Sequence, residues 1–170
     1  ARVGVGVGAP GADARALLRR RPRAGRQFEA IRVEILRQPR DLAKLREDVL
    51  AMRQRMLDNH ASHSDEYFDL KQDPGGLIDV EFIVQYLVLG HAHDHERLCA
   101  DLGNIALLGI AAELALIPRE LADPVRDTYR EFRRLQHAKR LSANPKAPIP
   151  REEVEHHIAA VTGLWHTVFG

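Results

Sequence analysis

The sequence of 170 residues has little cysteine, few aromatic residues, almost no net charge and no long hydrophobic run. Its one cysteine, Cys99, cannot form an internal disulfide, which is typical of a reducing cytoplasm. The longest apolar stretch, residues 77–89, is interrupted by polar side chains, whereas a membrane span needs about 20 apolar residues. With 25 basic and 24 acidic residues, the net charge of +1 argues neither for nor against a polyanionic partner. These absences predict a cytoplasmic protein that does not bind a membrane.

What the sequence does contain is typical of helices. Charged residues make up 29% of the chain and aromatics only 5%, with abundant Leu, Ala, Arg and Glu. From Gln27 onward, apolar residues recur at intervals of three and four. The breaks between these segments are mostly short, so neighbouring helices should be antiparallel. The pattern predicts an all-α, antiparallel bundle of about five to six helices over residues 26–170.

Three of the predicted helices have features that can be checked individually. One helix follows Pro39 and carries a narrow apolar stripe on Leu42, Leu45, Val49, Met52 and Met56. Residues 77–90 are apolar nearly all round, which predicts the central buried helix. Further on, Asp123 before Pro124 predicts an N-cap with proline at the first helical position.

Residues 1–25 differ from the rest. Valine and glycine alternate near the start, which favours a flexible arm or a poor edge strand. The basic segment from Arg15 to Arg26 would suit phosphate contacts and a nucleic-acid-binding arm, but a solvated linker is the commoner explanation. We therefore treat residues 1–25 as a separate arm or a remnant of a preceding domain.

The segment from Phe68 to Phe82 concentrates the residues with chemical potential. It contains Lys71, the adjacent glycines Gly75 and Gly76, and two carboxylates, Asp79 and Glu81. Glycines permit close approach of backbone to a ligand, and a helix that begins at Gly76 would present free N–H groups to an anion. Together with the charge of Lys71, this predicts a corner suited to a phosphate-bearing ligand.

The spacing of Asp79 and Glu81 allows two interpretations. On a strand, both would project from one face and could hold a metal ion for phosphoryl transfer. On a helix, they lie about 200° apart and must act separately. The residues after Phe82 lack clean alternation, which favours the helix. Acidic residues in a first helical turn also have a purely structural explanation, because they offset the helix dipole.

Lys71, Gly75, Gly76, Asp79, Glu81 and Phe82 occur in a spacing that resembles the signature behind each nucleotidyltransferase domain of bacterial glutamine synthetase adenylyltransferases. A related segment occurs in the uridylyltransferases that modify the PII signalling protein. The helix with Tyr129, Phe132, Arg133, His137 and Leu141 is similar to a family pattern as well. The resemblance covers residues 26–170 and extends to the apparent end of the family protein.

The resemblance implies an enzyme that transfers AMP from ATP to a tyrosine of glutamine synthetase and reverses this by phosphorolysis, as nitrogen supply demands. The implied cofactors are ATP and Mg²⁺, and the implied partners are glutamine synthetase and the PII protein. Family catalysis uses a Gly-Ser loop and a pair of aspartates on a strand. This chain has no Gly-Ser dipeptide, so it resembles the helical part behind a nucleotidyltransferase core and should be inactive alone.

The residues expected to line the nucleotide cleft, by this resemblance, are Lys71, Gly75, Gly76, Asp79, Glu81, Arg133 and His137. Asp79 and Glu81 are the candidate catalytic residues; one could face the cleft while the other braces a neighbouring helix. Replacing either with alanine should lower activity with little loss of folding. No metal ligand is expected within the chain, and the alternating His91, His93 and His95 are interpreted as a polar loop. The alternative function is a non-catalytic module that docks glutamine synthetase or PII.

Overall fold

The computed structural model describes residues 22–60, 64–141 and 148–170, and the side chains among them from residue 25 onward. The arm predicted over residues 1–25 lies almost wholly outside this part of the chain. The described residues form six α-helices, a short 3₁₀ helix at Glu96–Cys99 and two strands of two residues each. The helices are α1 (Pro22–Leu36), α2 (Leu42–Asp58), α3 (Leu77–His91), α4 (Asn104–Glu113), α5 (Arg119–Leu141) and α6 (Arg151–Phe169). The all-α prediction is confirmed.

Helix α3 is the centre of the bundle, as its apolar sequence predicts. Nine of its fifteen residues are buried, and it contacts α2, α4, α5 and α6. Because it is apolar on all sides, it is stable only when other helices surround it. Val80 and Ile83 have no exposed surface. Asp79 is also buried, so this helix carries a carboxylate into the core.

Helices α5 and α6 pack on one another and close the bundle. Helix α5 is strongly amphipathic: Ala122, Val125 and Phe132 are fully buried, while its other side is charged. Helix α6 contributes Val161 and Leu164 to the same core. None of the described helices is long and apolar enough to cross a membrane.

A small antiparallel sheet fixes the entry to the motif. Strand β1 (Tyr67–Phe68) pairs with β2 (Ile149–Pro150), with Phe68 opposite Ile149. Phe68 then packs on Phe132 of α5, with ring centroids 5.8 Å apart. Two-residue strands are too short to leave an alternating pattern, so the sequence does not indicate them.

The predicted helix start at Asp123 is wrong. Helix α5 begins at Arg119, five residues before Pro124, which lies inside the helix. Proline lacks an N–H, so the Glu120 carbonyl loses its helical partner, but both residues are exposed and water can take its place. Burial of Ala122 favours the earlier start, because the helix must continue upstream to deliver it to the core. Asp123 instead pairs with Arg126 at 2.8 Å.

The predicted stripe on α2 is partly wrong. Val49 is buried as expected, but Met52 is 49% exposed and Arg53 takes the buried position. Arg53 follows Val49 by four residues, so both lie on the same side of the helix. A buried arginine requires a partner, and the partner is Asp79 on α3.

Helix α1 covers one end of the bundle. Val33 and Leu36 pack against the cluster around Cys99, and the Arg32 guanidinium donates to the Cys99 carbonyl. The opposite side of the same helix carries Phe28, Ile31 and Ile35, which are 49–55% exposed. Helix α1 therefore presents an apolar face to solvent.

A histidine links α5 to α6 and should make stability depend on pH. His157 Nδ1 lies 2.8 Å from Thr128 Oγ1, and its ring meets Phe132 edge-on. Burial and the neighbouring His156 lower the pKa of His157, and Glu131 opposes this in part. The His157 side chain therefore binds a proton more readily in the unfolded chain than in the folded protein. The stability that His157 contributes is present above about pH 6.5 and is lost as pH falls through the folded-state pKa.

We therefore expect the urea midpoint to fall between pH 7.5 and pH 5.5, and to fall less in His157→Gln, which can still bond Thr128 but does not titrate. Urea unfolding of both proteins at the two pH values measures this. An equal fall in both proteins would show that other groups cause it.

Candidate functional site

Four successive N–H groups at the turn before α3 donate to acceptors within the protein. Gly75 donates to Asp79 Oδ2 at 2.7 Å, Gly76 to the Asp73 carbonyl at 2.9 Å, and Leu77 to the Leu70 carbonyl at 2.8 Å. The N–H of the next residue, 78, reaches the residue 71 carbonyl at 3.2 Å. These four donors would otherwise have no helical partner. The expectation that they would be free to attract an anion is wrong.

The two glycines are required by this turn. Gly75 has φ +87°, and a Cβ there would lie 2.8 Å from Ile158 Cγ2 on α6. A Cβ on Gly76 would lie 2.8 Å from the Leu70 carbonyl oxygen and 2.9 Å from that of Asp73. The close approach that glycine permits is therefore between backbone segments of the protein itself.

Asp79 lies beneath this turn and connects it to α2. Its Oδ1 accepts from Arg53 Nε at 2.5 Å, and both side chains are nearly inaccessible, 5% exposed for Arg53 and 7% for Asp79. The Arg53 Nη2 donates to the Gln72 carbonyl at 2.8 Å. Burial raises the pKa of Asp79, although the Gly75 N–H and the Arg53 charge act in the opposite direction. The carboxylate thus joins the turn, α3 and α2.

Glu81 points to another part of the molecule, as the helical interpretation requires. It is half-buried and accepts from the Tyr129 hydroxyl of α5 at 3.4 Å, while Asn104 Nδ2 donates to the same hydroxyl at 2.9 Å. Burial, and next the negative charge of Glu81, raise the pKa of Tyr129. The cluster therefore offers a carboxylate, a phenol and an amide at a partly open surface.

Lys71 is exposed beside the second half of α5. It lines a shallow depression of about 210 Å³ together with Gln136 and Arg140. Arg133 donates to Gln136 Oε1 at 3.0 Å. Residues 129, 133, 136 and 140 share one side of a helix. We call the surface formed by Lys71, Glu81, Tyr129, Arg133, Gln136 and Arg140 the α5 stripe.

The structure divides the predicted site residues into two groups. Gly75, Gly76 and Asp79 are buried in the turn and its ion pair. Lys71 and Arg133 are exposed on the α5 stripe, Glu81 is half-buried at its other end, and His137 is exposed one turn beyond Arg133.

Sequence reasoning missed Arg53. The only sequence feature that could have indicated its burial is its position four residues after Val49, which is buried on the same side of α2. Tyr129 was noted only through the family resemblance, and its contacts with Glu81 and Asn104 depend on the packing of three helices.

The three alternating histidines end α3 and continue into the following turn. His93 Nε2 lies 2.9 Å from Asp94 Oδ2, and burial lowers the pKa of His91. Within the described ranges, no three His, Cys, Asp or Glu side chains are grouped so that they could hold a metal ion.

Comparison with known proteins places this arrangement in a family. The family model described as GlnD PII-uridylyltransferase matches residues 43–166. The chain is 57% identical over 146 residues to a bifunctional glutamine synthetase adenylyltransferase/adenylyl-removing enzyme of Aromatoleum aromaticum, which covers 86% of this chain and 15% of that protein.

Similarly named proteins of Bordetella bronchiseptica and Nitrosomonas eutropha are 49% and 46% identical, over 85% and 86% of this chain and 15% and 17% of theirs. The chain thus spans about 15% of the length of these curated relatives. It belongs to the family that the GlnD PII-uridylyltransferase model describes, and the relatives named here are bifunctional glutamine synthetase adenylyltransferase/adenylyl-removing enzymes.

Proposed function

We propose that this chain is the helical part of an enzyme that transfers AMP from ATP to a tyrosine of glutamine synthetase and removes it by phosphorolysis. The observation that carries this proposal is the α5 stripe, because it brings accessible residues of the family motif to one side of the bundle. The relatives of this chain are named as glutamine synthetase adenylyltransferase/adenylyl-removing enzymes. The remaining motif residues support the turn beneath. The partners would be glutamine synthetase and, by the family's name, the PII protein, in the cytoplasm.

The α5 stripe has the chemistry for one wall of a nucleotide cleft. Lys71, Arg133 and Arg140 supply positive charge for phosphate oxygens. Glu81 and Tyr129 can hydrogen-bond a ribose hydroxyl. Mg²⁺ would be held by aspartates of a nucleotidyltransferase core, and the Gly-Ser dipeptide of such a core does not occur in these 170 residues, so the chain alone should not transfer AMP. In this proposal the residues of the stripe orient ATP and balance its charge.

The test is adenylylation of glutamine synthetase by the full-length enzyme carrying Lys71→Ala. We expect kcat/KM to fall about tenfold, which corresponds to about 1.4 kcal/mol of transition-state stabilisation. Lys71 is exposed, so the melting temperature should not change. Glu81→Gln should also lower the rate, because it removes the charge but preserves the shape.

The matched control is Lys44→Ala. Lys44 is exposed on α2, away from the stripe, and its loss removes the same charge. If Lys71→Ala and Glu81→Gln both reacted at the wild-type rate, the α5 stripe would not line the cleft, whatever the rate of Lys44→Ala.

A docking module is the second candidate function. The observation in its favour is the exposed apolar face of α1, formed by Phe28, Ile31 and Ile35. Titration calorimetry of this chain with glutamine synthetase and with PII separates the two functions. Binding that Ile31→Glu abolishes and Lys71→Ala leaves unchanged would favour docking.

A further inference from the structure

A cavity of about 250 Å³ opens between α2, the turn before α3, and α6. None of its lining residues belongs to the α5 stripe, so the site is distinct from the proposed nucleotide cleft. Its walls are mainly apolar and include Leu50 and Leu57 from α2 and Trp165 from α6. We call it the Arg53 cavity, after the guanidinium at its floor.

The floor offers a fixed hydrogen-bond donor. Arg53 is held by two bonds, from Nε to Asp79 and from Nη2 to the Gln72 carbonyl. Its third nitrogen, Nη1, takes part in neither of these two bonds. A buried donor that neighbouring groups hold in place does not need to be ordered when a ligand arrives. Nη1 can therefore bind an acceptor atom at little entropic cost.

The charge at the floor is balanced. Asp79 lies 2.5 Å from Arg53, so a ligand meets a positive and a negative group together. An anion would be attracted by one and repelled by the other, and a cation likewise. The apolar walls also disfavour a charged ligand, because a charge loses its hydration there. The cavity is thus matched to a neutral molecule with an acceptor.

The size and shape of the cavity limit the ligand further. Pockets for drug-sized ligands occupy about 300–1,000 Å³, so a cavity of 250 Å³ suits a smaller molecule with a single ring. Trp165 supplies an aromatic wall, which favours a planar ring. We infer that the Arg53 cavity is a binding site for a small neutral carboxamide or related carbonyl compound, with its ring against Trp165 and its oxygen towards Arg53 Nη1.

Three probes of one shape test this inference on the 170-residue chain: benzamide, benzoate and benzylamine. Trp165 is the only tryptophan, so its indole N–H resonance reports on the cavity without ambiguity. We expect benzamide to shift this resonance saturably with a Kd of about 1 mM, a usual value for a ligand of this size. Benzoate and benzylamine should bind at least about fivefold more weakly.

Two variants on α2 locate the binding. Gln54 is exposed at the rim of the cavity, so Gln54→Phe should occlude it and weaken benzamide binding at least about fivefold. Met52 is exposed two residues away and does not line the cavity, so Met52→Phe should bind as the wild type does. The site is refuted if no saturable shift occurs up to about 20 mM, or if Gln54→Phe binds normally. Equal affinity for all three probes would refute the ligand class.

The outcome is independent of the proposed function. Benzamide binding is measured on this chain without ATP or glutamine synthetase. Failure of the Lys71→Ala test leaves the Arg53 cavity unaffected, and the reverse also holds.

Discussion

Asp79→Ala should destabilise the protein by about 3–5 kcal/mol, because it leaves Arg53 buried without a counter-charge. The same change removes the acceptor of the Gly75 N–H. In a protein of this length, such a loss lowers the melting temperature by roughly 6–20 °C. Thermal unfolding followed by circular dichroism measures it. The sequence-based expectation of little loss of folding at this position is therefore replaced for Asp79 by one of marked destabilisation.

Two controls distinguish the effect of losing a charge from the buried Arg53–Asp79 pair from the effect of losing a charge from any ion pair. Asp127 lies as close to Arg130, 2.5 Å, but its side chain is 74% exposed, so Asp127→Ala should change stability by less than about 1 kcal/mol. The double variant Arg53→Met/Asp79→Leu removes both charges and should recover part of the stability that Asp79→Ala loses. If Asp79→Ala were as stable as Asp127→Ala, the buried pair would not hold α2 to α3.

This prediction also affects how activity measurements are interpreted. Lost adenylylation in Asp79→Ala would follow from a displaced turn, and so would not by itself place Asp79 in a cleft. Lys71 and Glu81 are the informative positions, because neither is deeply buried and their substitution should leave the fold intact.

Gly75→Ala should destabilise the protein by about 3 kcal/mol. The residue has φ +87°, which is unfavourable for alanine, and the new methyl group would lie 2.8 Å from Ile158 Cγ2 and 3.1 Å from the Ile158 carbonyl oxygen. The Ile158 side chain can move a little, but the backbone of α6 cannot move without disturbing the core. Urea unfolding should show a lower midpoint with an unchanged slope.

Gly163→Ala is the matched control for this substitution. Gly163 lies within α6, and a Cβ there would meet no atom within 4 Å. Alanine in a helix is preferred over glycine by about 0.5–1 kcal/mol, so this variant should be more stable than the wild type. Two glycine-to-alanine changes should thus have opposite signs. A neutral or stabilising Gly75→Ala would mean that the turn tolerates a side chain.

The sequence by itself determined the fold class and the family. Helical periodicity recurs in several segments, so errors at single positions do not alter the all-α result. Residues 77–90 were correctly placed at the centre, because a helix that is apolar on all sides has no stable place at a surface. The motif was specific enough to indicate the family that the comparison later showed. The start of α5 at Arg119 was not predicted, because Pro124 indicated a helix that begins there. The burial of Ala122, which favours the earlier start, is visible only in the packed structure.

Only the tertiary structure decided which motif residues are buried and which are accessible. Lys71, Gly75, Gly76, Asp79 and Glu81 lie within eleven residues of sequence, yet they face different neighbours. Asp79 meets Arg53, which is 26 residues away, and Glu81 meets Tyr129, which is 48 residues away. Local spacing fixes the angle between two side chains on a helix, but not which other helix lies there. The partner of a buried charge is set by packing over long sequence distances, and it is this packing that leaves Lys71 and Glu81 on the α5 stripe.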